Sequence, residues 1–237
     1  MQGREQRREL RSTVAVGDGQ ALVALLQGTP WPENVLQLIG DGLGAALAGR
    51  VTGAEEVARR CVALLGDRGW EGDEELANAL ESRLLSGPIR LLWAIPVDLD
   101  QLAGVLEGDP VDGGGRVDLR TGEVWPQPAI EYAVEVGEED EDDEERWLWV
   151  ANQGSRTAYR DMELFIDTVS DSFVIDSLSR ALIGRGSFRR FKDELSRWPE
   201  LLDQWLAYSE ERHLGRARSW LAGERYTVAV AAARPGG

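Results

Sequence analysis

The chain has 237 residues and a formal net charge of −16, from 26 basic and 42 acidic side chains. Its 43% apolar content suits a packed core, and the acidic balance argues against double-stranded nucleic acid or an anionic membrane as general partners. One Cys and one His exclude a disulfide framework and a Cys/His zinc site built within one chain.

Met1 to Arg11 is polar and carries four arginines. No apolar stretch follows that could act as a signal-peptide core, and none reaches the roughly 18 residues of a membrane span. The expectation is a cytoplasmic protein without a membrane contact. Charge is unevenly spread. Residues 88–151 hold 4 basic and 17 acidic side chains, whereas residues 152–237 hold 13 basic and 12 acidic. The basic set is 25 arginines and a single lysine, Lys192.

From about residue 20 to 86 the apolar period is helical. Leu22, Leu25 and Leu26 form a short stripe. Thr29-Pro30-Trp31-Pro32-Glu33 reads as a helix start, followed by Val35, Leu36, Ile39, Leu43 and Leu47. Gly40-Asp41-Gly42-Leu43-Gly44 lies inside that period and follows no strand, so it reads as close helix packing, not a nucleotide loop. Thr52 and Glu55 form a capping box before Val57, Cys61, Leu64 and Leu65. Cys61 reads as an inert core thiol. Asp73 opens the next helix, which Gly87-Pro88 closes.

At Pro88 the period changes to two. Ile89, Leu91, Trp93 and Ile95 alternate as a strand. Asp98 caps a short helix carrying Leu99, Leu102, Ala103 and Leu106. Val117-Asp118-Leu119 and Glu123-Val124-Trp125 flank an Arg120-Thr121-Gly122 hairpin turn. Ile130, Tyr132, Val134 and Val136 alternate as a further strand, and Trp147 to Val150 as the last. Trp147, Trp149 and Trp125 are expected on one sheet face, buried by helices. Eight consecutive acids, Glu138 to Glu145, read as a solvated loop.

The remainder is helical, with stripes at Met162, Phe165 and Ile166, at Leu178 and Leu182, and at Leu201, Trp205 and Leu221. Tyr226 to Ala233 alternates weakly. Asp167 and Asp171 are expected four residues apart on one helix face, and His213 on the surface. The fold class is therefore α+β: an N-terminal helical subdomain (1–87), then an α+β domain (88–237). Its small antiparallel sheet is packed by C-terminal helices.

Arg160-Asp161-Met162-Glu163-Leu164-Phe165-Ile166, the run Gly184-Arg185-Gly186-Ser187-Phe188-Arg189-Arg190-Phe191-Lys192-Asp193, and the ending Ala217 to Leu221 resemble the bacterial uncharacterised protein family 0158. Val97 to Ala103 and Val117 to Val124 fit that family's opening, so the resemblance spans roughly residues 95–225. It implies no established activity and leaves the N-terminal helices uncovered. Alanine is the commoner residue in the family where Ser187 stands, which argues against a nucleophilic role.

The Gly184–Asp193 run carries the candidate site. Ser187 is a good helix N-cap, and Phe188, Phe191 and Leu195 face the core. A glycine turn into a helix start offers free N–H groups and a positive dipole end. Arginine forks match phosphate or carboxylate. Arg185, Gly186, Ser187, Arg189, Arg190 and Lys192 are therefore the expected ligand-binding residues. No metal site and no cofactor is expected. The leading reading is a non-enzymatic binding or regulatory module for an anionic small molecule or a protein partner. The rivals are an enzyme for a phosphorylated or nucleotide substrate, with Asp161 or Asp193 beside Arg189, and a structural partner docking through the acidic loop or an apolar helix face.

Overall fold

A computed structural model describes residues 2–28, 30–84, 92–109, 111, 113–136 and 145–229. Five helices come first: α1 (Gln2–Val16), α2 (Gly19–Gly28), α3 (Leu36–Ala48), α4 (Ala54–Arg68) and α5 (Asp73–Leu84). They enclose a core of Leu10, Leu22, Leu26, Ile39, Leu43, Cys61, Leu65, Leu76 and Leu80. Burial of such side chains is the main stabilising term. Gly40 lets α5 approach α3, since a Cβ there would fall 2.4 Å from Leu76 Cδ2.

A mixed layer follows: β1 (Trp93–Ile95), α6 (Leu99–Leu106), β2 (Gly115–Asp118), β3 (Val124–Pro126), α7 (Gln127–Glu135) and β4 (Trp147–Val150). The chain then forms α8 (Arg156–Ile166), α9 (Ser172–Ala181), α10 (Ser187–Leu195), the 25-residue α11 (Pro199–Gly223) and β5 (Tyr226–Val228). The antiparallel sheet has the order β3-β2-β4, with Val117 opposite both Val124 and Leu148. Its core is shared with α6 and the end of α11, through Leu102, Leu106, Val117, Val150, Ala217 and Leu221. A third core joins α8, α9 and α10 to the first half of α11 around Phe165, Leu178, Phe191, Leu195 and Trp205. Thus α11 contributes to two cores and touches α3 and α5 of the first.

The α+β architecture agrees with the expectation, and several elements differ from it. Residues 130–135 are helical, not a strand. Gln127-Pro128 starts α7 with proline in its first turn. Ile130 and Ala133, three apart, are its buried residues, while Tyr132, Val134 and Val136 are exposed. The alternation followed residues that face water. β1 does not join the antiparallel sheet but pairs in parallel with β5, Ala94 opposite Thr227. α3 begins at Leu36, beyond both prolines, and Gly53, not Thr52, caps α4. Asp98 caps α6 as expected, accepting from the N–H groups of Asp100 and Gln101. Among the sheet tryptophans, Trp147 is buried and meets Trp125 edge to face at 6.0 Å, whereas Trp149 is 61% exposed. Arg116 lies under this face, its guanidinium carbon 3.8 Å from the Trp147 ring centre. The strand start at 89–91, the Gly87-Pro88 stop, the tail from 230 and nearly all of the acidic run lie outside the described residues.

Candidate functional site

The expected ligand-binding residues run from the α9–α10 turn, which holds Arg185 and Gly186, along α10, which carries Ser187, Arg189, Arg190 and, in its last turn, Lys192. Gly184 and Gly186 both adopt positive φ, +82° and +76°, which glycine reaches without a Cβ penalty. Gly186 is the residue that caps α10, so Ser187 is the first helical residue, and it is buried. Phe191 and Leu195 are fully buried, as the spacing requires. That anchoring turns Arg189 and Lys192 outward. Arg185, on the turn, is also exposed. Arg189 is 90% exposed and only 3.8 Å from Asp193 in an open ion pair.

Arg190 behaves differently from its neighbours. Its Nε donates to the Ala181 carbonyl at 3.2 Å. Its Nη2 donates to the carbonyls of Ile183 at 2.6 Å and Gly184 at 3.1 Å, and its Nη1 to that of Arg185. A planar guanidinium satisfies carbonyls that the end of α9 and the turn leave unpaired. A cleft of about 410 Å³ beside it is lined by Ser177, Arg180, Arg190, Asp193, Glu194 and Arg197. Asp161 does not line that cleft.

Asp161 belongs instead to one of two charge clusters along α11. It accepts from Arg212 Nε at 2.9 Å and Arg216 Nη1 at 2.5 Å. Arg216 also donates to Glu107 Oε1 through Nε at 2.8 Å and through Nη2. His213 Nδ1 lies 3.0 Å from Glu107 Oε2, and its Nε2 lies 3.8 Å from Asp100. His213 is thus half-buried and paired, not a free surface histidine. Burial alone would raise the Glu107 carboxyl, but hydrogen bonds from His213 and Arg216 and their charges hold it below its ordinary value.

The second cluster fastens the N-terminal helices to α11. Glu211 accepts from the backbone N–H groups of Gln37 and Leu38, both at 2.9 Å, and from Arg68 at 2.7 Å. A side chain 174 residues away thereby does the N-capping of α3. Arg68 grips Asp73 with Nε at 2.8 Å and Nη2 at 2.6 Å. Arg218 donates to Gln37 at 3.0 Å and Asp41 at 2.9 Å. Burial pushes the Glu211 carboxyl up, against the pull of Arg68 and the two N–H groups. Burial also pushes the Cys61 thiol up to about 12, which makes it unreactive.

Neither cluster was singled out in the sequence. A signal was available: Tyr208, Glu211, Gly215 and Arg218 follow at three- and four-residue spacing, which puts two charges on an inward stripe. Asp167 and Asp171 do not share a helix face. Asp167 ends α8, and Asp171 caps α9 through the N–H groups of Phe173 and Val174. Among the described residues no group of three or more His, Cys, Asp or Glu could hold a metal ion, and no helix is long and apolar enough to cross a membrane.

The chain matches the model of the Uncharacterised protein family (UPF0158) over residues 129–233. The match takes in the α9–α10 turn and α11 but leaves out α1 to α6 and the β2–β3 hairpin. A Pseudomonas aeruginosa protein that carries this family's name is 30% identical over 131 residues, covering 53% of this chain and 80% of the relative. No solved structure matches. With four-fifths of that relative covered at this identity, the chain belongs to the UPF0158 family.

Proposed function

We propose that this chain is a non-enzymatic binding module that presents the α9–α10 turn to a phosphate- or carboxylate-bearing ligand. The observation that carries the reading is the division of labour among the arginines. Arg190 pins the turn from inside, while Arg185 and Arg189 stand exposed around the start of α10 and Lys192 stands exposed one turn further along it. A rigid turn with outward cations is preorganised, so little ordering entropy is lost on binding. The charge balance supports it. Residues 172–198 carry six basic and three acidic side chains in a chain of net charge −16. Neither carboxylate of the enzyme reading favours catalysis: Asp161 is buried beneath Arg212 and Arg216, and Asp193 is an open, solvated partner of Arg189.

A thermal-shift series on the full chain tests this, with inorganic phosphate, pyrophosphate, a nucleotide and citrate as probes. An anion that binds the native state raises Tm by mass action. The expected result is a rise with at least one probe that disappears in Arg189→Glu/Lys192→Glu, a variant whose unliganded Tm matches wild type. No rise with any probe, or an equal rise in the variant, contradicts the proposal.

A further inference from the structure

We propose that His213 is a proton-operated latch between α6 and α11. Asp100 in the first turn of α6 and Glu107, the residue that ends it, stand seven residues apart, two turns along one side. The imidazole of His213 lies between them, Nδ1 at 3.0 Å from Glu107 and Nε2 at 3.8 Å from Asp100. The latch borders the apolar seam in which Leu99, Leu102, Ala103 and Leu106 of α6 share a core with Ala217 and Leu221 of α11.

Among the described residues, the charges around it are one cation short. Asp100 and Glu107 face it from α6, Asp161 stands behind Arg212 and Arg216 from α8, and both arginines lie on α11 itself. Three carboxylates therefore meet two guanidinium groups, and a proton on His213 balances the set. A neutral imidazole has one N–H and serves Glu107 alone. The protonated ring has two and serves Asp100 as well. Burial by itself would lower the His213 value, but the hydrogen bond and charge of Glu107, with the charge of Asp100, raise it above its ordinary value. The sign follows. The stabilisation is complete below the unfolded value, about 6.5, and is lost as pH rises through the raised folded value. At higher pH the α6 seam loosens from α11.

His213 is the sole histidine, so one pair of imidazole signals in the NMR spectrum of the full chain reports it without assignment by mutation. The expected midpoint lies above that of the same histidine in the denatured chain, and it falls in Asp100→Asn. Because Asp100 is largely exposed, that variant folds and keeps the test decisive where His213→Gln does not. Across the same pH range the wild-type Tm falls by a few degrees, and amide exchange in α6 accelerates. In His213→Gln this pH step is absent. A midpoint at or below the denatured value, no change in Asp100→Asn, or the same Tm step in His213→Gln overturns the latch.

Discussion

Arg190, Glu211 and Cys61 show how far burial and partners decide what a residue does. Arg190 sits among three other exposed-looking cations, and nothing in its local spacing separates it from Arg189. The difference arises because α9 ends nine residues earlier, at a carbonyl that Arg190 Nε can reach. Arg190→Ala removes charge-assisted bonds to four carbonyls and is expected to cost about 1–3 kcal/mol, read as a lowered denaturant midpoint. Arg189→Ala, which removes only an open ion pair, should change stability by less than about 0.5 kcal/mol. Equal losses in the two variants would contradict the assignment of Arg190 as the clamp. Cys61 was legible as a core thiol from its helical setting. A thiol reagent should label it only at the rate of unfolding, and rapid labelling of native protein would contradict its burial. His213 was not legible, because both its carboxylate partners lie more than a hundred residues away on α6.

At the scale of elements, periodicity identified most helices of the first core and the β2–β3 hairpin, because their apolar stripes are the buried ones. It failed at α7, where valines and a tyrosine at alternate positions face water. It also failed at the start of α3, because the N–H groups there are met by Glu211 and not by a neighbouring side chain. Local capping rules have no access to a partner on another element. The contact between the α4–α5 loop and α11 is equally hidden. Gly72 and Gly215 meet backbone to backbone, and a Cβ on Gly215 would fall 2.2 Å from the Glu71 carbonyl oxygen. Gly215→Ala is therefore expected to destabilise by at least about 1–3 kcal/mol, since main chain has no rotamer with which to yield. Thermal unfolding measures this, and a neutral Gly215→Ala would show that α11 and the loop are not held at this distance.

For the whole molecule, α11 is the element through which the parts are joined. Its first half closes the α8–α10 core, and its last part closes the sheet core. Its Glu211 and Arg218 tie in the N-terminal helices, which lie outside the family match. Glu211→Ala leaves Arg68 short of a buried counter-charge and α3 without its cap, for an expected loss of about 3–5 kcal/mol. If the first core is coupled through Glu211, Trp31 and Trp205 should report a single unfolding transition in wild type and two in the variant. Coincident transitions in both would contradict that coupling. The outer surface is where the proposed function lies. A protein with net charge −16 repels anions at long range, so a site for them must rest on short-range forks and N–H groups at one rigid turn. The most direct measurement is an NMR titration of the labelled full chain with each of phosphate, pyrophosphate, a nucleotide and citrate. With at least one of them, saturable shifts are expected, centred on the backbone amides of Gly186 to Arg189, with smaller ones at Arg185 and Lys192. Saturation without movement of those amides, or no shifts at all, would contradict the proposed site.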